Sequence, residues 1–373
     1  MSFTSTGRFR IRPFGIIHML LMKIITLGLF AAMSAGAASA QWVSQSGGTE
    51  VRLRGVSAVS RSVAWASGDK GTYARTTDGG KTWVAGVVPG ASELDFRDVD
   101  AFSADTAYLL SIGEGEKSRI YKTTDGGKTW ALQFRNSRPE AFFDAMAFWD
   151  SEHGIAVSDP VGGRFLIITT SDGGRTWKEM PADGMPAALA GEGAFAASGT
   201  CITVQGKRNV WFGTGGPEGA RIFSSIDGGR TWAVTKTPMS SGRSAGIFSV
   251  TFWNARQGVA VGGDYTKERE AKDNVAVTSD GGRTWSLIKG EGPDGYRSCV
   301  VFMPGSGKPK LVAVGPSGSD YSTDGGRSWM PLSVDGYHSA SFASSLYGWA
   351  VGERGRVARY AIPRNLSEEQ KQR

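Results

Sequence analysis

Carboxylates, arginines and aromatic side chains recur at equivalent points of this chain, in loops between short β-runs. Arg54, Arg97, Asp98, Asp144, Glu192, Tyr296, Arg297, Tyr337 and His338 stand where the chain leads into successive repeats. Asp69, Glu114, Asp159, Asp264, Tyr265 and Glu353 stand between the second and third runs of a repeat. Two chemistries suit such a set. Two carboxylates facing each other about 5–10 Å apart could cleave a glycoside, one as acid and one as base or nucleophile. Asp98, Asp144, Asp159 and Asp264 are the candidates for that role. Arginines interleaved with carboxylates could instead hold the charged groups of a partner, with Arg54, Arg97 and Arg297 as anchors. The candidate binding set is Arg54, Arg97, Asp98, Asp144, Asp159, Glu192, Asp264, Tyr265, Arg297, His338 and Glu353. No residue is assigned as catalytic.

Other chemistries have little to stand on. No glycine fingerprint lies in a strand–turn–helix context, and no Cys-x-x-Cys-His haem site is present. No Gly-x-Ser-x-Gly elbow joins a strand to a helix. An oxidoreductase would need a cofactor that no motif announces, so no cofactor is assigned. A metal would have to rely on oxygen ligands, with Ca²⁺ the open case. His153 falls where other repeats carry Gln257 or Tyr347 and reads as structural. Cys201 and Cys299 fall in repeats that are not neighbours, so two buried thiols are expected rather than a disulfide.

The elements that must position these residues are set by one phrase that occurs six times. It is TTDGGKTW at Thr76–Trp83 and Thr123–Trp130, and TSDGGRTW at Thr170–Trp177 and Thr278–Trp285. SIDGGRTW at Ser225–Trp232 and STDGGRSW at Ser322–Trp329 complete the set. Its aspartates, Asp78, Asp125, Asp172, Asp227, Asp280 and Asp324, are spaced by 47, 47, 55, 53 and 44 residues. That period with strand-like flanks predicts a β-propeller. Asp-Gly-Gly supplies the positive φ angles of a tight hairpin, the Asp side chain can bond the turn backbone, and the Trp covers it. The boxes therefore read as structural.

Each repeat offers four short runs. In the second they are 97–102, 106–112, 119–123 and 129–134; in the fifth, 247–253, 258–262, 275–278 and 284–288. No segment carries a long helical period. With 53 glycines and 12 tryptophans, the composition suits a turn-rich all-β chain. Two loops exceed the minimum, Pro181–Gly193 and Gly262–Asn274, and are candidate recognition elements.

The two ends complete the reading. Basic residues Arg8, Arg10, Arg12 and Lys23 precede an apolar stretch from Ile24 to Met33, and Ala38-Ser39-Ala40 follows. This is a secretory signal pattern, with cleavage expected after Ala40 and a periplasmic or secreted product without stable membrane insertion. A start at Met22 fits the pattern as well as one at Met1. Removing residues 1–40 leaves 333 of the 373 residues and reduces the formal charge from +7 to +3. Basic residues are also spread over the repeats, so a nucleic-acid partner is not expected. At about 48 residues per repeat, 333 residues make seven units. Three runs follow the last box, at 338–343, 348–352 and 356–362, and Gln41–Gln45 resembles the run after each box. The expectation is an all-β seven-bladed propeller with four-stranded blades over 41–363, its last blade closed by the N-terminal strand, followed by a polar tail at 364–373.

The boxes match the Asp-box, or BNR repeat, Ser/Thr-x-Asp-x-Gly-x-Thr-Trp, of sialidases, other glycoside hydrolases, sortilin-type receptors and photosystem II assembly factors. The stretch Val63–Trp83, VAWASGDKGTYARTTDGGKTW, most resembles the assembly factors, and Gly348–Tyr360 repeats its first half. The resemblance implies a periplasmic or lumenal seven-bladed propeller that binds protein partners during assembly, and a monomer is expected. Sialidases carry an Arg-Ile-Pro motif before the first box, and this chain has none. A glycoside hydrolase acting on carbohydrate through the loop carboxylates stands as the alternative.

Overall fold

The computed structural model describes residues 41–362; the signal-like segment and the polar tail lie outside the described residues. The chain forms seven antiparallel four-stranded sheets. Six follow the chain order, from blade 1 (strands Leu53–Ala58, Ala64–Gly68, Thr72–Thr76 and Val84–Val87) to blade 6. Blade 7 takes its outer strand, Gln41–Ser46, from the other end of the chain. That strand pairs with Arg356–Ala361, with Trp42 opposite Tyr360. Trp42 is buried against Tyr337, Phe342 and Tyr360, and its indole N–H donates to Ser319 Oγ of blade 6 at 3.0 Å. Closure by one strand joins the ends of the ring and removes its free edges.

Strand boundaries shift slightly from the sequence reading. The first strands of blades 2 and 5 begin two residues early, at Asp95 and Ala245, and the second strand of blade 5 runs to Asp264. The fourth strands begin after the box tryptophan rather than at it; in blade 5 only Ser286–Leu287 remains.

Every box has the same internal geometry. In blade 3, Thr170 Oγ1 donates to Asp172 Oδ1 and accepts from Gly174 N, while Asp172 Oδ2 accepts from Thr176 Oγ1 at 2.6 Å. These bonds pull the aspartates of four boxes, Asp78, Asp125, Asp172 and Asp280, down to about 2. The box is also a joint between blades, which its sequence did not suggest. Gly174, at φ +79°, lies so close to Tyr108 of blade 2 that a Cβ would come within 2.9 Å of the ring. Tyr108 donates its hydroxyl to Gly173 O at 2.7 Å. Tyr73 does the same for Gly127 O of the blade 2 box. A glycine is required here both by its φ and by the neighbouring ring.

The cores lie between adjacent blades. One of the largest joins Phe165 of blade 3 to Phe212, Phe223 and Trp232 of blade 4. Cys201 and Cys299 are buried free thiols. No helix among the described residues is long and apolar enough to cross a membrane.

Candidate functional site

The first strands of neighbouring blades pack against one another around the ring. Five of the seams are held by a side chain that reaches across to the next blade. Ser341 accepts from Ala58 N, Ser57 from Ala101 N, Ser249 from Val300 N, and the Cys299 sulfur from Ala340 N. At the seam between blades 2 and 3 the acceptor is ionisable: Asp98 Oδ2 accepts from Met146 N at 2.7 Å. Burial, and then the nearby Asp100, push Asp98 well above the usual carboxylate range. Asp100 is itself pushed up to about 7 by burial.

The connection from blade 3 to blade 4 crosses the channel. The segment Gly193–Thr200 touches every other blade. Ala194 N donates to Asp159 Oδ1 of blade 3 at 2.9 Å. Phe195 stacks on Phe248 of blade 5 with ring centroids 3.8 Å apart. The carbonyls of Ala196 and Ala197 accept from Arg97 Nη1 at 2.9 Å and Arg54 Nη2 at 2.7 Å. Ser198 donates to Ser298 O of blade 6, and its own carbonyl accepts from Ser339 of blade 7. A short segment with partners in all six other blades must lie across the ring axis. Its run of Gly, Ala and Ser fits the narrow space there.

This strap is the floor of a cavity of about 530 Å³. Arg52, Arg54 and Arg97 line one side, and Phe248, Tyr265 and Tyr296 another; Glu268, His338 and Glu353 also reach it. Two of the arginines are compensated. Arg52 pairs with Asp69 at 3.0 Å, and Arg97 with Asp95 at 2.8 Å. Arg54 has no carboxylate in ion-pair reach among the described residues, and its Nε is buried without a partner. Burial, then Arg97 and Arg52, lower its pKa to about 10. His338 is pushed down to about 4 by burial and by Arg54, against the pull of Glu353 at 2.8 Å, so it is neutral at pH 7. The cavity thus presents an uncompensated guanidinium beside aromatic faces, a setting that favours an anionic group.

The structure brings together Arg54, Arg97, Tyr265, His338 and Glu353 of the sequence-derived set. It places the rest elsewhere. Arg297 is buried in an ion pair with Asp320 at 2.6 Å, within blade 6, because burial so deep demands a local counter-charge. Glu192 is buried against Arg221 and Thr214, where it anchors the Pro181–Gly193 loop through Leu189 N. Asp264 folds back onto Thr266. Asp98 and Asp144 are buried, and neither forms an ion pair with an arginine. Arg97 pairs with Asp95, two residues earlier in the same strand. Asp144 sits beside Asp159; burial and that neighbour raise it well above its usual value. Asp159 lines a separate groove with Glu114 and Glu140, and burial raises it to about 6. Among the described residues, no group of three or more His, Cys, Asp or Glu side chains is placed to hold a metal ion.

Sequence reasoning missed Arg52, Asp95, Phe195 and Phe248, and reached Glu268 only through the Gly262–Asn274 loop that contains it. Arg52 and Asp95 each lie two residues before an arginine of the candidate set, but Arg54 and Arg97 sit at β-bulges where strand alternation breaks, so the pattern did not point to them. The strap residues carried no signal either.

No family model and no curated protein matches the chain. Solved structures do. A structure described as YCF48 bound to D1 peptide is 16% identical, covers 86% of this chain and 97% of its own, with a TM-score of 0.59. The fold is shared with YCF48. YCF48 from Cyanidioschyzon merolae is 17% identical, over 86% and 99% of the two chains, at a TM-score of 0.60. The WD40 propeller domain of Doa1 superposes at 0.58 with 11% identity, over 88% and 98%. At these identities the likeness is one of fold, and the site must be argued from its own residues.

Proposed function

We propose that this chain is an exported propeller that binds a polypeptide partner, and that the partner inserts a carboxylate-bearing segment into the central cavity. The observation that carries this reading is Arg54, a buried guanidinium with no carboxylate partner, in a cavity walled by aromatic rings. An incoming carboxylate would supply the missing counter-charge through charge-assisted hydrogen bonds, and Tyr265, half exposed at the rim, would pack on the peptide. The peptide held by the YCF48 structure supports a polypeptide ligand, and the signal-like N-terminus supports export. No catalytic pair is assigned, because Asp98 and Asp144 are buried outside the cavity and Asp159 lines another groove.

The test is titration of acidic hexapeptides, as free acids and as amides, against the wild type and Arg54→Gln. Binding of a subset, weakened at least tenfold by Arg54→Gln with the circular dichroism unchanged, is the expected result. Equal binding by the variant would refute the assignment, as would the absence of any binding. Cleavage of a glycoside panel, abolished by Glu268→Gln or Glu353→Gln, would replace it with a hydrolase.

A further inference from the structure

We propose that Asp159 and Ser198, which lie outside the cavity wall, are positioning residues that set the geometry of Arg54 and Arg97 through the strap. The inference rests on the reading of the central cavity as the binding site, but its chain of contacts is independent of any ligand. Asp159 takes the Ala194 N–H at 2.9 Å. Two and three residues on, the carbonyls of Ala196 and Ala197 each fix one nitrogen of Arg97 and Arg54. One residue further, Ser198 ties the strap to Ser298 on one side, and Ser339 ties it on the other. The arginines are therefore suspended from a segment pinned at both ends.

The physical need for this device follows from the charges. Three guanidiniums gather at one wall of the cavity, and two of them share their carboxylates with no third. Left to themselves, like charges separate and long side chains spread over rotamers. Adjacent carbonyls, Ala197 O for Arg54 and Ala196 O for Arg97, each accept one N–H and restrain both side chains without neutralising either. The remaining donors stay free for an anion, and less ordering is left to be done on binding. The strap is itself well seated: Gly193 and Gly215 exchange both backbone hydrogen bonds, and a Cβ on Gly199 would come within 2.2 Å of Asp98 Oδ1. With both glycines held in place, any slack left by losing the Asp159 contact falls between Gly193 and Gly199, the stretch that carries both arginine-bound carbonyls.

The experiment uses the full chain and the arginine reagent phenylglyoxal, with peptide mapping of the modified sites. In the wild type Arg54 is expected to react slowly, because it is buried and tethered. Asp159→Ala removes the acceptor for Ala194 N and should speed modification of Arg54 and Arg97 at least tenfold. Asp159→Asn keeps an acceptor oxygen at the same place and should remain within twofold of wild type. Ser198→Ala removes the bond to Ser298 O at the far end, leaving the Ser339 bond to the Ser198 carbonyl, and should also speed modification; it carries the test if Asp159→Ala does not fold. Folded Asp159→Ala and Ser198→Ala proteins with wild-type reactivity would overturn the proposal, as would an Asp159→Asn protein as reactive as Asp159→Ala. Titrating the same variants with acidic hexapeptides separates the two ideas. Faster modification without peptide binding by any variant, the wild type included, upholds the strap and refutes the ligand. Binding that is unaffected by the variants while reactivity is also unchanged refutes the strap and upholds the ligand.

Discussion

Asp159→Asn should make the protein more stable at neutral pH and change little in acid. Burial raises the Asp159 carboxyl from 3.8 to about 6, and the Ala194 N–H offsets only part of that. The folded state therefore holds its proton more tightly than the unfolded chain does. Stability is then greatest below about pH 4 and falls as the pH rises through about 6. A gap of roughly two pKa units corresponds to a ceiling of about 3 kcal/mol. The true figure is lower because Asp144 lies beside it and the two titrate as a pair, so about 1–2 kcal/mol is expected from the single variant. Asparagine keeps an oxygen for the Ala194 N–H and cannot ionise, so it removes the cost without removing the contact. The assay is urea unfolding of both proteins at pH 4.5, 6.0 and 7.5. The wild type should lose stability across this range relative to the variant, the gap opening with pH. A gap that is constant with pH, or a variant less stable at pH 7.5, would refute the reasoning.

Three further outcomes follow from the same structure. Arg297→Ala should cost about 3–5 kcal/mol in chemical unfolding, because it leaves Asp320 buried without its partner; a loss under about 1 kcal/mol would show that water replaces the pair. Deleting residues 41–46 should abolish cooperative thermal unfolding or lower its midpoint sharply, and Trp42→Ala alone should cost about 3–5 kcal/mol; a deletion variant of wild-type stability would mean that the ring closes without its outer strand. Asp172→Ala should lower the thermal midpoint at pH 7 and have its effect vanish below about pH 2, where the native carboxyl is protonated, because a carboxyl held at about 2 stabilises only while ionised. Peptide binding by the folded Asp172→Ala protein should match wild type.

The ring was legible in the sequence and the site only in part. Asp-Gly-Gly turns and alternating β-runs are local devices, since each is satisfied within a few residues. Their sixfold recurrence and the Trp42 run therefore determined the fold, the blade number and the closing strand. The cavity is different in kind. Arg54, Arg97, Tyr265 and His338 come from four blades and meet only because the ring closes. Which carboxylate pairs with which arginine depends on contacts within a strand, across a hairpin or between elements that are not sequence neighbours, and these are settled by side-chain reach and burial. Arg297 illustrates the limit: its loop position matches that of Arg97, yet Asp320 lies close enough to bury it. The strap carries the point furthest. Its sequence, Gly-Ala-Phe-Ala-Ala-Ser-Gly-Thr, holds no charged group or period, and it works through backbone carbonyls that every residue possesses. Only the tertiary structure decides that these carbonyls fall on the ring axis within reach of two arginines, because that placement depends on distances between residues about a hundred or more positions apart in the chain.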